Sequence, residues 1–285
     1  MLPCMPHTQL FLLTSLSMLA FAGNSLLCRL ALRHTAIDPA SFTAIRIVSG
    51  AVILWLLVRT RGPSGPSAGN WPSAAALFAY AVAFSFSYVT LPAATGALLL
   101  FGAVQATMIG YGLWAGERPS RLQTLGLFAA GGGLVALLLP GLTAPPLAGA
   151  LLMAVAGIAW GVYSLRGKGA GDATRVTAGN FLRAAAFAAC LGVGMLPWAS
   201  WDGRGILYAV SSGALASGFG YAVWYTALRG LTATTAATVQ LSVPVIAAAG
   251  GVAFLDEALT LRLVACSIAI LGGIALVTAS KRPAG

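Results

Sequence analysis

Charge is what this chain has least of. Asp, Glu, Lys and Arg make up 8% of its 285 residues, against roughly 25% in a soluble domain. Six residues are acidic and two are histidine. His7 and His34 lie near the ends of apolar runs, and no Asp, Glu or His falls in the middle of one. That leaves no Ser/His, Asp/Asp or metal constellation for an intramembrane enzyme, so no catalytic residue, metal site or cofactor is expected. It also removes the groups on which proton relays usually depend, which favours facilitated diffusion or exchange over proton coupling. The four cysteines (Cys4, Cys28, Cys190 and Cys266) have no CxxC spacing and imply neither a disulfide framework nor a metal site. No loop is long enough to hold a soluble domain.

What the chain has instead is apolar length. Hydrophobic residues make up 59% of it and the mean hydropathy is +0.89. The apolar runs are each long enough to cross ~30 Å of hydrocarbon at ~1.5 Å per residue. Ten spans are predicted: Gln9 to Leu30, Ile37 to Val58, Ser73 to Val89, Ala93 to Ala115, Leu122 to Leu139, Leu147 to Leu165, Thr174 to Leu196, Gly205 to Leu228, Thr232 to Leu255 and Leu259 to Ala279. The runs are continuous, not alternating, so helices are expected and a β-barrel is not. Gly/Pro-rich breaks such as Arg61-Gly-Pro-Ser-Gly-Pro66 and Pro145-Pro146 separate them. Met1 to Leu10 carries no Lys or Arg and the following apolar stretch is too long for a secretory signal, so it reads as the first helix.

The sixteen basic residues give a net charge of +10 but are scattered between the runs, which argues against a nucleic-acid surface. With a cytoplasmic N-terminus, ten of them (Arg59, Arg61, Arg118, Arg121, Arg166, Lys168, Arg175, Arg229, Lys281 and Arg282) fall on the cytoplasmic side. Four (Arg29, Arg33, Arg204 and Arg262) fall opposite, and Arg46 and Arg183 lie inside spans. This obeys the positive-inside rule and predicts an integral plasma (inner) membrane protein with both termini cytoplasmic.

Sliding the chain by 140 residues without a gap lays Leu91-Pro-Ala-Ala-Thr95-Gly-Ala97 on Leu231-Thr-Ala-Thr-Thr235-Ala-Ala237. The same register pairs Gly110 with Gly250, Glu117 with Glu257, and Gly132-Gly133 with Gly272-Gly273. Ala20-Phe21-Ala22 echoes Ala159-Trp160-Gly161, and Arg46 echoes Arg183. Two units of five helices are expected, residues 1–142 and 143–285, and an odd number per unit forces the second to insert upside down. The fold class predicted is all-α integral membrane, ten transmembrane helices in two inverted five-helix repeats.

Gly116-Glu117-Arg118-Pro119-Ser120, its partner Asp256-Glu257-Ala258-Leu259-Thr260, the mid-span Arg46 and Arg183, Trp160-Gly161, and Pro244 in Ser242-Val-Pro-Val245 together resemble the drug/metabolite transporter superfamily, in particular its EamA-type ten-helix exporters. Val104 stands where that family often has a proline, and Phe21-Ala22 where it often has Trp-Gly. The resemblance implies export of small metabolites by alternating access through a central cavity. Amino acids, including aromatic ones, lead as substrates; a broad multidrug or cationic-compound exporter is the alternative.

Polar and aromatic residues at membrane depth are the candidate binding residues: Asn24, Tyr80, Tyr88, Gln105, Trp160, Tyr163, Tyr221, Trp224 and Thr238, with Gln240 and Ser217 among further candidates. Tyr80, Phe84 and Tyr88 share one face at helical spacing. Arg46 and Arg183 are gating or structural candidates: either one attracts a substrate carboxylate, or both bond helix-end carbonyls, and their matching repeat positions favour the second reading. Glu117 and Glu257 each open a helix and are expected to cap its free amides. Pro244 removes an amide donor and is expected to kink the ninth helix, either as a moving gate or as a static bend. The Gly126 to Gly133 and Gly272-Gly273 clusters predict close packing of the fifth helix on the tenth. The expected partners are a small-molecule substrate and the lipid bilayer, with no nucleic acid; a monomer is compatible with all of this.

Overall fold

The computed structural model describes residues 6–60, 68–116, 119–139, 141, 144–167, 172–228, 230–231 and 239–279. Among these residues the protein is wholly helical. Besides the short 3-10 turn Leu196–Trp198, the ten helices among the described residues are α1 (His7–His34), α2 (Pro39–Thr60), α3 (Trp71–Tyr88), α4 (Ala93–Trp114), α5 (Arg121–Leu138), α6 (Leu147–Gly167), α7 (Ala173–Gly194), α8 (Gly203–Leu228), α9 (Ser242–Leu255) and α10 (Leu261–Ala279). Seven are long and apolar enough to cross a membrane; α3, α9 and α10 fall short of that measure. The outer surface is apolar, with Trp114, Phe128 and Phe254 largely exposed, as suits a chain dissolved in lipid.

Lipid cannot hydrogen-bond a helix end, so polar side chains cap several of them. Asn70 accepts from the Ser73 amide and opens α3; Asp172 accepts from Thr174 and Arg175 and opens α7; Asp202 accepts from Gly205 and opens α8. Ser120 and Gln123 form a capping box at α5. The guanidinium of Arg262 donates to the carbonyls of Ala136 and Leu139, closing the other end of α5.

The principal helix contacts form a paired set. α3 packs on α6 and α8 on α1; α4 packs on α6 and α9 on α1; α3 packs on α7 and α8 on α2. α2 packs on α7, α4 on α9 and α5 on α10. Exchanging each helix for the one five places along leaves this set unchanged. The α5 and α10 pair is the most extensive contact and touches the rest chiefly through α4. A Cβ on Gly126 would lie 2.5 Å from the Gly273 carbonyl oxygen, and one on Gly273 would lie 2.5 Å from that of Gly126. Gly131, Gly132 and Gly272, grouped with them by sequence, face open space instead.

α8 is not uniform. Ser212–Phe219 is π-helical, where α8 crosses α2: a Cβ on Gly213 would meet the Ser49 hydroxyl at 2.0 Å and the Arg46 carbonyl at 2.1 Å. The wider turn re-aims Ser212, Ala216 and Ser217 inward, and all three are buried.

Candidate functional site

Near the middle of the bundle, rings from four helices meet. Tyr80 and Trp160 lie 4.9 Å apart centroid to centroid, Trp160 and Tyr221 5.1 Å, and Phe21 and Tyr221 5.8 Å. They line a small cavity with Asn24 and Ser25 of α1, Phe84 of α3, Leu100 and Phe101 of α4, Ala216 of α8, and Gln240 just before α9. The walls come from α1, α3 and α4 of the first half and from α6, α8 and the approach to α9 of the second. Leu100 and Gln240, 140 positions apart, occupy matching places in the sequence register. The cavity measures about 30 Å³, room for roughly two water molecules.

A polar chain runs behind the rings. Ser212 donates to Asn24 Oδ1 at 2.6 Å, Asn24 Nδ2 donates to the Tyr80 hydroxyl at 3.3 Å, and Arg46 Nη2 donates to the same hydroxyl at 3.0 Å. Arg46 is 2% exposed. Its guanidinium lies 4.7 Å from the Phe84 ring centroid and 5.2 Å from that of Tyr80, distances at which ring faces attract a cation. Trp160 is backed by Tyr163 at 5.4 Å, whose hydroxyl accepts from Asn180 Nδ2 at 3.4 Å. Trp224 abuts Phe21 edge-on.

One end of the bundle is closed below the cavity. Phe84 and Tyr88, both fully buried, stack edge to face at 4.8 Å. Beyond them Arg29 Nε donates to Glu257 Oε1 at 3.0 Å, and Arg29 Nη1 donates to the carbonyls of Tyr88 and Val89. Glu257 Oε2 accepts from the Ala93 amide at 2.7 Å. This ion pair joins α1, the end of α3, the start of α4 and the α9–α10 linker. Next to it lies a second cavity of about 230 Å³, lined by Thr90, Thr95, Pro145, Glu257 and Thr260 among others.

The sequence pattern of the EamA-like transporter family matches residues 147–279. An uncharacterized protein of Pseudomonas aeruginosa, PA1977, is 58% identical over 278 residues, covering 97% of each chain. The chain belongs to the EamA-like transporter family. It is an integral membrane protein of transporter type. A solved structure, titled only as the crystal structure of a protein, superposes on this EamA-like transporter with a TM-score of 0.69 at 21% identity, covering 98% of this chain and all of the other; it speaks for the fold alone.

Of the residues singled out in the transporter's sequence, Asn24, Tyr80, Trp160 and Tyr221 meet at the cavity wall, and Tyr163 and Trp224 form a layer behind it. Tyr88 lies below the cavity, and Gln105 is buried in α4 away from its wall. Thr238 and Glu117 lie outside the described residues. One expectation is corrected: Glu257 caps α4, not the helix it precedes; α10 is capped by Thr260, whose hydroxyl accepts from Leu263. Pro244 sits in the first turn of α9, and the predicted ninth span is interrupted at Leu241 just before it, where the proline ring clashes with the preceding turn.

The two span arginines separate. Arg183 Nη1 donates to the carbonyls of Ala68 and Gly179 at 3.2 and 2.9 Å, which is the helix-locking role, whereas Arg46 faces the aromatic cluster. Phe84 was reached through its helical spacing with Tyr80, whereas Phe21, Leu100, Phe101 and Ala216 were not among the candidates, because selection by polarity passes over apolar wall residues; the polar Ser25 was missed as well. The 140-residue register, which sets Leu100 against Gln240, is the signal that finds one of them.

Proposed function

We propose that this EamA-like transporter exports small amphipathic metabolites, amino acids foremost, by alternating access around the aromatic cavity between two inverted five-helix repeats. The observation that carries the reading is the cavity wall, drawn from both halves of the chain around Tyr80, Trp160 and Tyr221. The paired helix contacts support the repeats, as do the helix starts: α1 and α6 begin at His7 and Leu147, and α5 and α10 at Arg121 and Leu261, both at the spacing of the sequence register. The family match over residues 147–279 spans one expected five-helix unit.

Rings flanked by amide and hydroxyl groups suit a solute with an apolar body and a polar end. At about 30 Å³ the cavity must widen to admit such a solute. On the basic-residue distribution, both termini face the cytoplasm of an inner-membrane protein and the Arg29–Glu257 end is periplasmic, so the pair acts as the outer latch. Among the described residues no acidic side chain lies within a helix that crosses the bundle, which favours facilitative transport or exchange. A cationic cargo is disfavoured by the Arg46 charge behind the wall.

Counterflow of labelled Phe, Thr and Ala into proteoliposomes, with and without a pH gradient, tests the reading. Saturable, gradient-independent flux is expected. Absence of flux for every amino acid ends the assignment of that substrate class.

A further inference from the structure

We propose that Arg46, with the Tyr80 hydroxyl, is the docking point for a carboxylate on the transported solute, which makes the protein selective for carboxylates with an apolar or aromatic body over the matching amines and amides. The inference rests on the transport reading above and specifies the chemistry of its site.

Arg46 sits mid-way along α2 and is 2% exposed. A guanidinium at such depth is stable only with acceptors around it, since it stays charged in any protein. Yet only Nη2 has one, the Tyr80 hydroxyl at 3.0 Å; Nη1 has no hydrogen-bond partner. The ion pairs among the described residues are Arg29 with Glu257 and Arg175 with Asp172, so no carboxylate answers Arg46. Ring faces at 4.7 and 5.2 Å hold the charge partly, but they accept no hydrogen bond in the plane of the fork.

Donors are in surplus throughout this corner. The Tyr80 hydroxyl already accepts from both Arg46 and Asn24, so its own proton is left to donate. Ser217 Oγ, buried beside the cavity-lining Ala216, also lacks a partner. An acceptor with two oxygens and a negative charge is the group that satisfies a guanidinium fork and a phenol together, and a carboxylate is that group.

The second span arginine sharpens the contrast. Arg183 is bonded to two backbone carbonyls, so a purely structural arginine in this bundle is seen with its acceptors in place. Arg46 differs in the one respect that binding requires: a free donor directly behind the cavity wall, on the Tyr80 and Phe84 rings, which must part for a carboxylate to reach it.

The test is competition against counterflow of labelled phenylalanine by hydrocinnamate, which keeps the carboxylate and lacks the amine, and by phenethylamine and phenylalaninamide, which lack the carboxylate. Hydrocinnamate should compete and the other two should not. Arg46→Gln should raise the half-inhibitory concentration of hydrocinnamate by about 10- to 100-fold, the range for a lost charge-assisted hydrogen bond, and narrow its advantage over the amide; Arg46→Lys should recover part of it. Tyr80→Phe should give a smaller rise of the same kind and serves if Arg46→Gln does not fold. Equal competition by amine, amide and acid, or an unchanged ranking in the folded variants, overturns the proposal while leaving transport intact. If no amino acid is carried, a thermal shift by hydrocinnamate in the wild type and not in Arg46→Gln still supports the site, and no shift in either overturns it.

Discussion

Arg29 and Glu257 are 228 residues apart in the chain and 3.0 Å apart in space. Their side chains are 10% and 14% exposed, and each holds a further partner: backbone carbonyls of α3 and its exit for Arg29, the first amide of α4 for Glu257. Removing one member leaves the other charge buried without its counter-ion, a loss of about 3 kcal/mol for such pairs. Glu257→Gln and Arg29→Gln should each lower the melting temperature of the detergent-solubilised protein by several degrees. The double variant should lose less than the sum, with a coupling of about 1–3 kcal/mol. Additive losses would show that the contact contributes nothing as a pair.

The adjacent glycines of α10 should behave oppositely. A Cβ on Gly273 would meet the Gly126 carbonyl oxygen at 2.5 Å and the Ala130 amide nitrogen at 2.7 Å, whereas one on Gly272 meets nothing within 4 Å. Gly273→Ala therefore forces α5 and α10 apart and should destabilise by about 1–3 kcal/mol. Gly272→Ala should be neutral or stabilise by up to about 1 kcal/mol through helix propensity. Thermal melts of the two single variants check the contrast, and similar melts would mean that the helix faces are assigned the wrong way round.

Asp38, between α1 and α2, links this linker to the one before α8. Burial alone would push its carboxyl up, but hydrogen bonds donated by the Ser41 side chain and by the amides of Ser41, Ser200 and Ala40 outweigh that and hold it below the usual carboxylate range. The folded protein then keeps Asp38 charged to lower pH than the unfolded chain does. Its contribution is present above the ordinary Asp value of ~3.9 and is lost as pH falls beneath it through the lower folded value. Asp38→Asn should flatten the acid limb of a melting-temperature profile below pH ~5. Parallel acid limbs in variant and wild type would contradict this.

Hydropathy made the helices legible because lipid imposes one demand on every span: α4 was expected from Ala93 to Ala115 and runs Ala93–Trp114, and α8 was expected from Gly205 to Leu228 and runs Gly203–Leu228. Helical spacing likewise put Tyr80 and Phe84 on one face, and both line the cavity. What the sequence could not disclose was tertiary. Glu257 reads locally as the start of a helix, and only folding brings it to the Ala93 amide and to Arg29. The π-helical turn of α8 has no local signature beyond Gly213 and Gly218, whose role is to let α2 approach. Arg46 and Arg183 look alike in the sequence, each lying inside the second span of its half, and their acceptors tell them apart.

Transport as proposed requires the cargo to pass through the ring cluster. The measurement that tests it most directly is amino-acid counterflow in proteoliposomes containing equal amounts of wild type, Trp160→Ala and Trp114→Ala. Trp160 lies between Tyr80 and Tyr221, its ring tilted against both, while Trp114 is 84% exposed at the end of α4. Flux abolished or reduced at least about tenfold in Trp160→Ala, the equivalent of roughly 1.4 kcal/mol, and retained in Trp114→Ala is the predicted result. Equal flux from both variants would contradict the account and move the pathway away from the cavity.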